Sequence, residues 1–165
     1  MSGRSLQLRL LVAGLAAMLA ALAAAALALT ILFERHVERR AVAEAGGHLR
    51  SLIAGAAIGA DGAFALAAPP ADPLFGQAYS GLYWQVQSDA GVLARSRSLW
   101  DSELPLPADE MIDGAVHVHT IAGPRKAEVL AVERGLFLTG ADGTRGFRLV
   151  VALDRKEITE AAEAK

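Results

Sequence analysis

The sequence predicts an α+β fold: an N-terminal transmembrane helix continuing into a helix that packs on an antiparallel sheet of about five strands. Three observations predict it. Leu10 to Phe33 contains no charged residue. Glu34 to about Ala57 repeats apolar residues at three- and four-residue spacing. From Ile58 onward the pattern turns into short alternating runs separated by Gly, Pro and Asp.

The first segment is the plainest. Hydrophobic residues make up 53% of 165 residues, above the usual share of a soluble chain, and the excess sits at the N-terminus. Twenty-four uncharged residues rise about 36 Å as a helix, against a hydrocarbon core about 30 Å thick. Only a helix satisfies its own backbone in lipid. The h-region of a cleaved signal peptide is about 7–15 residues, so an uncleaved anchor is expected. Flanking charge does not orient it. Arg4 and Arg9 precede it, while Arg35, Arg39 and Arg40 follow, interleaved with Glu34 and Glu38. Long domains translocate largely regardless of such charges.

The membrane-proximal helix, 34–57, places Val37, Ala41, Ala45, Leu49, Leu52 and Ile53 on one face. Gly46-Gly47 weakens it and is a place for a kink. Alanine rows at 13, 17, 21, 25 and at 16, 20, 24, 28 permit close helix pairing, although alanine is abundant throughout this segment.

The strands follow. Phe64 to Ala67 is a short one, closed by Pro69, Pro70 and Pro73. Leu82 to Gln87, the turn Ser88-Asp89-Ala90-Gly91 and Val92 to Arg97 form the best hairpin signal. Of Tyr83 and Trp84, which face opposite ways, at least one is expected in the core. Ser98 to Pro107 reads as a loop and Ala108 to Ile112 as a short helix. Val116 to Ile121 alternates cleanly. Glu128 to Leu138 reads as a strand bulged near Gly135, and Phe147 to Leu153 as the last strand. Asp154 then caps a helix, with Glu157 at capping-box spacing.

Composition excludes several functions. There is no Cys, hence no disulfide, cysteine metal site or lipidated cysteine. Beyond residue 9, 14 basic residues face 18 acidic ones, so nucleic-acid binding is not indicated. No catalytic signature occurs. Ala78 stands where a Gly-x-Ser-x-Gly motif around Ser80 needs glycine. The Gly-x-x-x-x-Gly-Lys, Gly-x-Gly-x-x-Gly and His-Glu-x-x-His patterns are all missing. No cofactor is expected.

Two groups of residues carry weak ligand signals. His117 and His119 share a strand face and offer two imidazoles to a metal. Ordinary surface histidines explain them equally simply. Asp101, Glu103, Asp109, Glu110 and Asp113 surround Leu104-Pro105-Leu106-Pro107. Such carboxylates suit hard cations, and a solvated loop explains them as well.

Phe33-Glu34-Arg35-His36-Val37-Glu38-Arg39-Arg40, Asp72-Pro73, Ser80-Gly81-Leu82-Tyr83-Trp84-Gln85-Val86 and Ser96-Arg97-Ser98-Leu99-Trp100-Asp101 carry a resemblance. Through them the chain resembles the N-terminal part of proteobacterial two-component sensor histidine kinases, the run Ser80 to Asp101 being the most specific. The resemblance implies residues 1–9 in the cytoplasm, 10–33 across the bacterial inner membrane and 58–154 as a periplasmic PAS-like domain of the PhoQ type. Residues 155–165 would begin a helix toward a second membrane segment. It further implies a homodimer contacting membrane lipid, paired along Val37, Ala41, Ala45 and Leu49. By similarity, the acidic segment would meet anionic lipid through divalent cations. The response regulator would be reached only through a kinase part, and no phosphoacceptor or ATP-binding box occurs in this sequence. The alternative is a single-pass membrane scaffold or interaction protein.

Overall fold

The computed structural model describes residues 3–108, 114–141 and 143–156. The chain divides into two compact units, residues 1–38 and 39–165. Helix α1, Gly3–Gly55, supplies the whole described part of the first unit and opens the second.

In the first unit the apolar side chains stand exposed, from Leu10 at 66% through Leu22 at 58% to Phe33 at 51%. Within Arg9–Gly55 lies an 18-residue window of mean hydropathy 2.5, none of it buried. By length and composition this helix could cross a membrane.

The second unit is built on a sheet. Its strands are β1 (Ala56–Ile58), β2 (Phe64–Leu66), β3 (Leu82–Ser88), β4 (Gly91–Arg95), β5 (Val116–Ala122), β6 (Glu128–Gly140) and β7 (Gly143–Asp154). The five long strands form an antiparallel sheet in the order β4-β3-β7-β6-β5, and β1 pairs with β2 alone. The C-terminal strand is therefore central, with β3 on one side and β6 on the other.

One face of the sheet receives α1. Ala45, Leu49 and Leu52 pack with Leu82, Trp84 and Val86 of β3, Val132 of β6, and Phe147, Leu149 and Val151 of β7. This is the period-2 pattern of strands meeting the three- and four-residue stripe of a helix. Ala41 is buried as well, at 4% exposure, and Val37 is half-buried. Of the residues expected to pair two copies, Ala41, Ala45 and Leu49 are thus interior side chains of a single chain.

α1 runs through Gly46-Gly47 without interruption. It ends at Gly55, where a Cβ would lie 2.6 Å from the Ala68 carbonyl oxygen. There the chain folds back, Ala67 N donating to Gly55 O at 2.8 Å. β1 was not foreseen, because Ala-Ala-Ile carries no alternation. The register of β6 and β7 is continuous through Gly135, opposite Arg148, so the bulge expected there is absent. A register shift occurs instead between Val86 and Gln87 of β3. At the end of β7, Asp154 Oδ1 accepts from Lys156 N at 2.9 Å, as a cap should. Glu157, the terminal helix beyond Lys156 and most of the helix expected at 108–112 lie outside the described residues.

Candidate functional site

The opposite face of the sheet holds the polar residues of interest. β4 and β5 are the two edges, so the segment joining them has to cross the sheet. Its residues 99–106 lie over Tyr83, Val129, Ala131, Val150 and Ala152, into which they insert Leu99 and Leu104, with Leu106 half-buried beside them. Six consecutive residues, Gly81 to Val86, are consequently buried. Trp84 belongs to the helix side and Tyr83 to this one. The expectation that at least one of them is core is met by both.

The strap is held by polar anchors, one strand after another. On β3, Gln85 has no exposed surface. Its Oε1 accepts from Leu104 N at 2.9 Å and its Nε2 donates to Leu104 O at 3.1 Å. On β7, Arg148 donates from Nη1 to Pro107 O at 2.6 Å. On β6, Gly135 O accepts from Gly114 N at 3.3 Å. Near β4, Ser98 Oγ donates to Leu82 O at 2.7 Å, and Ser96 Oγ accepts from Trp84 N at 3.0 Å. A Pro-rich segment has few backbone donors of its own to spend on regular structure, so side chains from the sheet position it.

Arg148 is 8% exposed and Glu133 5%. They form a fork: Arg148 Nε bonds Glu133 Oε1, and Nη2 donates to Oε2 at 2.9 Å. Such a bidentate pair is strong when both groups are desolvated. His119 brings Nε2 to 3.7 Å from Glu133 Oε2. His117 lies opposite Glu133 on the edge strand, its ring 6.0 Å from that of His119. The histidines do share a face, beside a carboxylate already engaged by Arg148. Among the described residues no group of three or more His, Asp or Glu could hold a metal ion.

The two described acidic residues of the strap are spent locally. Asp101 Oδ1 accepts from Tyr79 Oη at 2.9 Å. That hydrogen bond, with burial and the carboxylate charge, raises the Tyr79 pKa above its usual 10.0, against the opposing pull of Arg125. Glu103 pairs with Arg95 at 3.6 Å. Asp109, Glu110 and Asp113 lie outside the described residues. Sequence reasoning missed Gln85, Glu133 and Arg148. A polar residue inside an otherwise apolar run, as in Leu-Tyr-Trp-Gln-Val, was the available signal.

Chemically, the arrangement binds and clamps. A crossing segment is pinned to the sheet by a neutral amide and a buried ion pair, with two imidazoles at the margin. No family model, curated protein or solved structure matches the chain.

Proposed function

We propose that this chain is the extracytoplasmic signal-sensing portion of a membrane-bound two-component sensor histidine kinase. It is anchored in the bacterial inner membrane through residues 10–33, with the sheet unit in the periplasm as a PAS-like domain. The observation that carries the reading is the make-up of α1. Its residues 10–33 are an uncharged stretch of membrane-crossing length, and its last turns contribute Ala45, Leu49 and Leu52 to the core of a sheet domain. Central placement of the last strand in β4-β3-β7-β6-β5 is compatible with the PAS-like part. The strap over the second face is the segment suited to take up a signal, because its anchors are few and individually breakable. A ligand shifts such an element only through unequal affinity for its two positions.

One observation favours the scaffold reading. Edge strand β5 exposes Val116 at 55% and Val118 at 45%, and an open edge invites another chain.

The experiment joins residues 1–165 to the second membrane segment and kinase part of a PhoQ-type sensor and reads transcription from its regulated promoter. Loosening the strap with Gln85→Leu is expected to change output several-fold at equal protein level. An output indifferent to strap variants, with a reporter fused after Lys165 active only in the cytoplasm, would reject the sensor assignment.

A further inference from the structure

The end of the sheet where β3 begins and β7 finishes is unlike the rest of the surface. Asp154 N donates to Gly81 O at 2.7 Å there, closing that end. The non-glycine residues at positive φ among the described residues are Tyr79 (58°), Trp100 (54°), Arg125 (55°) and Lys126 (61°). They are neighbours. Tyr79 N donates to Ser98 O at 2.8 Å. Tyr79 Oη reaches Asp101, next to Trp100. The Arg125 guanidinium lies 4.0 Å over the Tyr79 ring. Backbone held in this region has a cost that the surroundings must offset. Here it turns Trp100 outward at 56% exposure, while Trp84 is 7% exposed in the core. Arg97, Arg125 and Lys126 are exposed beside it, three cations against the nearby carboxylate of Asp101, which accepts from Tyr79 Oη.

This is also the end at which the unit begins. Ile58 packs against Gly140, at the opposite end of the sheet, so closely that a Cβ there would lie 2.8 Å from Ile58 Cγ2. Ten residues earlier, the His48 ring meets Phe75 edge-on at 5.2 Å and lies 3.9 Å from Asp72. The turn holding Asp72 and Phe75 is fastened by Ser80 Oγ, which donates to Leu74 O at 2.7 Å just before β3. α1 therefore runs, read backwards, from the Gly140 end toward the Gly81 end. Arg39, the first residue of the unit, lies further in that direction.

We propose that this rim rests on the membrane, with Trp100 at headgroup depth and Arg97, Arg125 and Lys126 against the phosphates of anionic phospholipid. The inference rests on residues 10–33 crossing that membrane. Tryptophan has an apolar body and a polar N–H, which suits the interface. Basic side chains near an anionic surface add attraction that falls off within a Debye length. Because the tether leads into this end of the unit, the rim needs no long linker to reach lipid. Contact made directly by cations differs from the bridging of an acidic surface by divalent ions.

The test reconstitutes the full chain into vesicles of phosphatidylcholine, with or without phosphatidylglycerol, carrying lipids brominated near the headgroup. At low salt the tryptophan emission is expected to be quenched several-fold more strongly in the mixed vesicles. Added salt should relieve the quenching, and Trp100→Phe should remove it, leaving buried Trp84 as the residual emitter. The double variant R125E/K126E should lose the dependence on phosphatidylglycerol; the salt titration of the unaltered chain gives the same answer should that variant misfold. Equal quenching in both vesicle types, insensitive to salt, would overturn the proposal, since the tether alone would then bring Trp100 close. Carbonate washing separates the two claims. A chain that resists carbonate but stays unquenched overturns the rim contact alone, whereas a chain stripped off overturns the membrane span and the contact with it.

Discussion

Replacing Gln85 with leucine tests how much of the strap's hold comes from this one anchor. The substitution nearly conserves volume and removes every polar atom of a side chain with no exposed surface. Leu104 N loses the acceptor it has at 2.9 Å, and a buried, unpaired N–H costs about 1–3 kcal/mol. Leu104 O loses the bond from Gln85 Nε2 but keeps the one from Leu106 N at 3.0 Å, so that loss is at the low end of about 0.5–1.5 kcal/mol. Gln87 also loses a partner, at 3.1 Å, on a side chain that still reaches water. Against these stands the gain from placing a leucine among apolar neighbours, about 1 kcal/mol. The net expectation is a loss of about 2 kcal/mol, or roughly 6–10 °C in Tm for a unit of this size. Urea denaturation of the fragment beginning at Arg39 gives the global value. Hydrogen exchange gives the local one: the Leu104 amide should exchange faster by more than the global loss accounts for. A loss under about 0.5 kcal/mol, with Leu104 exchange unchanged relative to β7, would refute the idea that Gln85 holds the strap.

Three further outcomes are expected. Trp84→Ala empties the centre of the helix-facing core and should cost about 3–5 kcal/mol in the same denaturation assay; a value below about 1 kcal/mol would place Trp84 outside the core. Glu133→Ala leaves the Arg148 guanidinium buried with only Pro107 O and should cost about 3–5 kcal/mol, while the double replacement of Glu133 and Arg148 by leucine should cost less than either single change, as a double-mutant cycle measures. The Tyr79 phenol, raised above 10.0 by Asp101, binds its proton more tightly folded than unfolded. Its contribution is full below the ordinary value and lost as pH rises through the folded one; ultraviolet titration, taken as the difference from Tyr79→Phe, should show the value falling toward 10.0 in Asp101→Asn.

The legible parts of the sequence were those with local chemistry. The β3–β4 hairpin was evident because Leu82 to Gln87 holds aromatic and β-branched residues and Ser88 to Gly91 is turn-forming, and the strands pair as read, with Gln85 opposite Arg95. The helix stripe of Ala41, Ala45, Leu49 and Leu52 was visible by spacing, but spacing cannot say what a stripe meets. The expected packing on a sheet is found for Ala45, Leu49 and Leu52; the small residues also suggested a second helix, and Ala41 and Ala45 are buried within one chain. The second buried face was hidden because its cover is not a regular element. Leu99, Leu104 and Leu106 come from a segment whose prolines and acids read as solvated, and only the crossing from β4 to β5 turns them inward. The Glu133–Arg148 fork was illegible for the same reason: its members are fifteen residues apart and meet only through the β6–β7 register.

The central position of β7 also dictates an order of assembly. β6 and β7 form a hairpin pairing from Gly140–Gly143 back to Val129–Asp154, a local structure that can close on itself. β3 must wait for it, since the partners of Leu82 to Gln87 are Arg148 to Leu153, more than sixty residues later in synthesis. Until that stretch has emerged from the ribosome, β3 has only β4 beside it and the apolar stripe of α1 has no complete sheet to lie on. Long-range pairing of this kind is slow, and a nascent chain exposes its stripe and the open β3 edge of its hairpin in the meantime. Biogenesis of this unit is therefore sensitive to any chaperone that shields residues 41–86 before residue 153 arrives.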